Sequence, residues 1–181
     1  MIPAEFLVIS SQWRARSELT VSSTSMIMGV NGDAGETAQF SQFIAKNIQL
    51  YRMRNGYELD TAAAVHFIRR NLGAYTINLL VAGYNEKEGG QLYYLDFLAS
   101  CVKVPFAAHG FGGLLSMSIL DRYHKPTLSM SEAYDVLKLC VHEVHERLFV
   151  NLPNFQVAAV SKKGIEKMPP INPPKPLIVE T

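Results

Sequence analysis

His142 and His145 stand three residues apart in VHEVHE (141–146), interleaved with Glu143 and Glu146. Imidazoles and carboxylates at that spacing can hold a metal ion between successive turns of a helix. HEVH is not HExxH, whose histidines lie four apart on one face, and a solvated charged face accounts for the pattern more simply. Gly110, Gly112 and Gly113 precede an apolar run, where free backbone N–H groups at a helix start can cradle a phosphate. No P-loop lysine follows them, which favours close packing over anion binding. His109, after Ala107 and Ala108, reads as a hydrogen-bonded core histidine rather than a general base. Cys101 and Cys140 lack CxxC spacing, so neither a disulfide framework nor a zinc site is expected, and both read as reduced core residues. Met26, Met28, Met117 and Met130 read as core fillers. Spacing alone therefore nominates no catalytic, cofactor-binding or metal-binding set.

The chain's 181 residues suit one domain, long enough to bury roughly 70% of its unfolded surface. With a net charge of +1 and both signs interspersed, neither nucleic acid nor an anionic membrane is indicated as a partner. The start, MIPAEF, lacks a basic segment followed by a long apolar run, and no stretch approaches the roughly 20 apolar residues a membrane helix needs. A soluble intracellular chain is the expectation.

The elements that must position these residues begin with the clearest, Asp33 to Leu59. Asp33 can cap a helix, Glu36 can return the hydrogen bond to the cap, and Asn55-Gly56 supplies a left-handed stop. Between them Phe40, Phe43, Ile44, Ile48 and Tyr51 recur at three and four residues, predicting one buried stripe. Asp60 is placed to cap a second helix with Ala64, Val65, Ile68 and Leu72 inside. Ahead of both, Phe6 to Ile9 and Val21 to Val30 read as strands. Behind them Thr76 to Tyr84 reads as a strand covered on both faces. It turns at NEKEGG into an antiparallel return along Gln91 to Leu98, and Ser100 to Ala108 can add a third strand. Gly112 to Tyr123 is apolar almost all round and predicts a deeply buried helix. Ser129 and Glu132 form a capping box for another, with Ala133, Val136, Leu137, Cys140, Val141, Val144 and Leu148 at helical spacing. Phe155 to Val160 is a late strand turned at Lys162-Lys163-Gly164. From Met168 the chain carries Pro169, Pro170, Pro173, Pro174 and Pro176, an extended tail unsuited to a core strand or helix. The division is a domain over 1–167 and a tail over 168–181. Strands and helix pairs in this order place helices on opposite faces of paired sheets, an α+β fold.

Several stretches carry a resemblance that periodicity cannot supply: Gly32 to Thr37 (GDAGET), Gln39-Phe40, Asn47 to Leu59 (NIQLYRMRNGYEL), LLVAGY (79–84), LYYLDFLA (92–99), PFAAHGFGG (105–113), SILDRY (118–123) and NLP (151–153). In that order, from about Met26 to about Gly164, the chain resembles the β subunits of the proteasome core particle. The resemblance implies the four-layer αββα sandwich of the N-terminal nucleophile hydrolases. It also implies a place in a β ring between two other β subunits, beneath an α ring and facing the opposite β ring of a twenty-eight-subunit hetero-oligomer in cytoplasm and nucleus.

Active members of that family use an amino-terminal threonine whose own amine serves as base. Met1-Ile2-Pro3 offers no such residue, and Thr20 and Thr24 fall within strand-like sequence. The supporting aspartate and lysine have no counterpart between Phe6 and Met26. Where active subunits carry a glycine-serine-glycine motif with an assisting serine, this chain has Gly110-Phe111-Gly112, and a phenyl ring cannot relay a proton. The expectation is a noncatalytic structural subunit supporting proteolysis of ubiquitinated proteins by its neighbours, without site residues or cofactors of its own. The alternative is a threonine peptidase whose processed start is not visible here. Phe111 is expected to fill the vestigial catalytic cavity with apolar surface. The segment from Ser11 to Val21 is short for the hairpin the resemblance implies there, and no basic loop separates Leu72 from Tyr75. The tail, ending in Leu177-Ile178-Val179, either reaches a neighbouring subunit or lies in solvent.

Overall fold

The computed structural model describes residues 6–11, 17–23, 25–148, 152 and 154–173, with only the backbone described over 6–11 and 17–23. The elements are β1 (Phe6–Ser11), β2 (Ser17–Ser23), β3 (Met26–Asn31), α1 (Ala34–Asn55), α2 (Thr61–Leu72), β4 (Asn78–Asn85), β5 (Gly89–Leu95), β6 (Cys101–Lys103), α3 (Gly113–Tyr123), α4 (Met130–Arg147), β7 (Phe155–Ser161) and β8 (Gly164–Ile171). Two antiparallel sheets form, β2-β3-β4-β5-β6 and β1-β7-β8. No helix among the described residues is long and apolar enough to cross a membrane.

Three apolar seams define four layers. Met26, Met28 and Val30 of β3 and Leu79 and Val81 of β4 meet Phe40, Ile44 and Ile48 of α1 and Ala64, Val65, Ile68 and Leu72 of α2. The alternate residues Ile27 and Ala82, with Leu92 of β5, face Ala158 and Val160 of β7 and join the sheets. Val157 and Phe155 on the far face of β7 meet Leu137, Val141 and Val144 of α4. Successive side chains of a strand point to opposite faces, so the run MIM in β3 serves the helix seam and the sheet seam at once. Pairing of Met28 with Val81 and Val30 with Leu79 sets that register, and a slip of one residue would exchange the two seams. The result is the αββα sandwich that the resemblance implied.

The helix starts behave unequally. Asp33 accepts from Gly35 N at 2.9 Å, and Gly56 closes α1 in the left-handed region with φ 76. Glu36 does not return the bond to the cap; its Oε2 instead accepts from Thr76 N at 2.7 Å, pinning the strand entry to α1. Asp60 makes no side-chain cap bond, because Asn85 Nδ2 donates to its Oδ1 at 2.6 Å. On α1, Phe43 lies at the rim, stacked on Phe67, and the Tyr51 hydroxyl meets that of Tyr57 at 2.8 Å. Thr37 and Ser41 take the buried positions instead. The capping box of α4 is complete, with Ser129 N donating to Glu132 Oε2 at 2.8 Å and Glu132 N to Ser129 Oγ at 3.4 Å. Ser129→Ala is expected to destabilise the fold by about 1 kcal/mol, read from the shift of the denaturation midpoint, with Ser129→Asp close to neutral.

Further expectations are corrected. Val21 to Val30 is not one strand: the chain reverses near Ser25, and β2 pairs back on β3 with a register shift between Val21 and Ser23. The third strand of the hairpin series is only Cys101–Lys103, since Pro105 soon removes a ladder donor. The boundary at residue 167 falls inside β8, whose Met168 pairs with Val157 and whose Ile171 pairs with Phe155. Pro169 and Pro170 are tolerated because β8 is an edge strand and the register shifts there. The remaining tail, Pro174 to Thr181, lies outside the described residues. Finally, α3 is an outer helix: of its residues only Gly113 is buried, while Leu114 is 87% exposed and Met117 and Tyr123 are also exposed. Its apolar circumference meets α4, and Leu115 reaches the seam that α4 makes with β7 and β8.

Candidate functional site

Val104 N donates to Leu92 O at 2.9 Å, after which the chain leaves the sheet and crosses the ends of β4 and β5 before entering α3. His109 anchors this loop. Its ring stacks on Tyr94 with centroids 4.2 Å apart, and Nε2 donates to Leu79 O at 3.1 Å. Gly110 follows at φ 81, where a Cβ would stand 3.2 Å from Asn31 Nδ2, and a Cβ on Gly112 would stand 3.0 Å from Val144 Cγ2. The two glycines thus bring the backbone against β3 on one side and α4 on the other. Phe111 between them is turned outward and is 73% exposed. It does not fill a cavity, because the close approaches are made by backbone at the glycines and leave its side chain on the solvent side.

The loop's chemistry is correspondingly poor. Phe111 has no proton to give or take. Burial pushes the His109 imidazole below its usual range, opposed by its backbone hydrogen bonds and by Asp96, so the neutral ring is the form that fits. A histidine lowered in the folded state stabilises the fold above its ordinary pKa of about 6.5 and loses that contribution as pH falls. Melting temperature is therefore expected to drop on acidification below about pH 6.5, with a shallower drop in His109→Gln.

The other nominated residues do not converge on the loop. His142 is exposed and His145 half-buried on α4, and among the described residues no three of His, Cys, Asp and Glu come together as a metal set. Glu143 is engaged by Arg147 instead. Gly112 and Gly113 are accounted for by contact with Val144 and Ala108. Cys140 is buried and its thiol is pushed up to about 11 by desolvation, while Cys101 is partly buried.

The family model for proteasome subunits matches residues 13–160. The chain belongs to the proteasome subunit family. It is 38% identical over 144 residues to proteasome subunit beta type-2-A of Arabidopsis thaliana, covering 76% of this chain and 71% of that one. It is 37% identical over 150 residues to proteasome subunit beta type-4 of Saccharomyces cerevisiae, covering 78% and 76%. Against proteasome subunit beta type-2 of Dictyostelium discoideum the identity is 39% over 147 residues, covering 76% and 74%. A proteasome β subunit has two outer helix pairs around paired sheets, and this chain keeps both pairs. Within that frame the loop at Phe111 and the outer face of α3 expose apolar side chains. Loop composition signalled the first; nothing in helical periodicity signals that an apolar face is uncovered.

Proposed function

We propose that the chain is a noncatalytic structural subunit of the proteasome β ring, supporting proteolysis of intracellular ubiquitinated proteins by neighbouring catalytic subunits in cytoplasm and nucleus. The observation that carries this reading is Gly110-Phe111-Gly112. The resemblance implies the assisting serine of active subunits at Phe111, and the loop there lies close to Asn31 and Val144 at its glycines and is anchored through His109. His109, the loop's own titratable group, spends its Nε2 proton on Leu79 O and stacks on Tyr94. Assembly is supported by exposed apolar side chains, Leu114 and Met117 on α3 among them; exposed apolar patches of this kind mark protein contacts. The partners are adjacent β subunits, subunits of an α ring and the opposite β ring.

Native gel separation of extracts, followed by detection of this chain, tests the assembly half of the proposal. The chain is expected in a ring-sized particle. A chain found wholly at its own mass of 20.2 kDa would overturn the reading. The catalytic half is tested by Phe111→Ser combined with a threonine exposed at the amino terminus, which is expected to give no peptide turnover, because a serine without its supporting shell is not held in productive geometry.

A further inference from the structure

All five backbone N–H groups from Asp96 to Ser100, at the tip between β5 and β6, are hydrogen-bonded. Asp96 N donates to Ser100 O at 3.2 Å and Ala99 N to Asp96 O at 2.9 Å. Leu98 N and Ser100 N donate to Asp96 Oδ1 at 3.0 and 2.8 Å, and Phe97 N donates to Asn78 Oδ1 at 3.1 Å. Ala99 sits in the left-handed region at φ 60, and its carbonyl accepts from Arg69 Nε at 2.7 Å. What so firmly held a turn offers to solvent is apolar: Phe97 is 49% and Leu98 72% exposed, with Val102 of β6 at 55%.

Arg69 gives this tip unspent donors. Its Nε is spent on Ala99, while its four remaining N–H donors meet no carboxylate at ion-pair distance among the described residues. Asp96, beside the exposed pair, is kept ionised by the Ser100 and Leu98 amides that hold its carboxyl below the usual range, and its Oδ1 is turned to those amides rather than to Arg69. A rigid apolar pair loses little conformational freedom on docking, and an unmatched guanidinium beside it favours a partner of opposite charge.

We propose that the Phe97-Leu98 tip is a preformed knob that seats in an apolar pocket of another protein chain, with a carboxylate on the pocket rim pairing with Arg69. The inference rests on the ring-subunit reading for the source of that chain, an adjacent subunit. It adds to that reading a defined contact with a defined chemistry.

Benzoylphenylalanine placed at position 98 of the full chain, in the cells that make it, tests the knob by photo-crosslinking, with the same probe at Lys162 as the exposed control. The expected result is one discrete product from position 98, joined to a peptide bearing Asp or Glu beside apolar residues. Arg69→Glu should lower its yield about tenfold, and changing the identified acid to Lys should restore it. That rescue separates charge pairing from the bracing of Ala99, which a partner's substitution cannot repair. No crosslink from position 98 in a ring-sized particle overturns the knob and leaves the ring reading standing. A discrete crosslink in a small complex sustains the knob and removes the ring reading; an uncrosslinked lone chain overturns both.

Discussion

Phe40→Ala is expected to destabilise the chain by about 3–5 kcal/mol, the range for emptying a fully buried aromatic position. Phe40 is completely inaccessible, sits in the seam between the first helix pair and the five-stranded sheet, and meets Tyr75 edge-on with centroids 4.9 Å apart. The ring pair adds about 0.5–1.5 kcal/mol beyond burial. Against a total stability of about 5–15 kcal/mol for a domain, that loss removes a large part of the margin. The consequence reaches the loop before α3, because α1 holds Thr76 through Glu36 and so the entry to β4, whose Leu79 carbonyl carries His109. Chemical denaturation of the full chain measures the loss, and a change below about 1 kcal/mol would show that the seam collapses to refill the space.

The second large effect is on assembly rather than folding. Leu114→Asp together with Met117→Asp changes two exposed side chains of α3, so the melting temperature should move little. If these residues anchor a subunit contact, each at about 2 kcal/mol or more, incorporation into the particle should fall by well over tenfold. Quantifying the variant in ring-sized and free fractions reads this directly. Full incorporation with unchanged ring stability would remove α3 from the assembly surface.

How far these features were legible depended on whether their causes are local. The cap of Asp33, the left-handed Gly56 and the capping box of Ser129 and Glu132 involve residues within one turn, and all three form. The buried faces of α2 and α4 followed from spacing because a described sheet lies beneath each, and Val65, Ile68, Val141 and Val144 are inside as read. Glu36 and Asp60 departed because distant partners, Thr76 and Asn85, compete for their carboxylates. Periodicity shows which side of a helix is apolar but not what covers it, and α3 is the case in point. Its apolar circumference implied burial within the chain, whereas Leu114 faces outward. Phe111 failed for a related reason: the resemblance identified the position, and only the close approaches of Gly110 and Gly112 show which way its ring turns. Prolines 169 and 170 implied a tail, yet an edge position in the three-stranded sheet accommodates them.

Covalent labelling of the assembled particle with a probe directed at amino-terminal threonines, followed by mass analysis of each chain, tests the noncatalytic reading most directly. Neighbouring catalytic subunits should carry the probe while this chain, present in the same particle, carries none. A probe adduct on this chain would contradict the account and make it a peptidase.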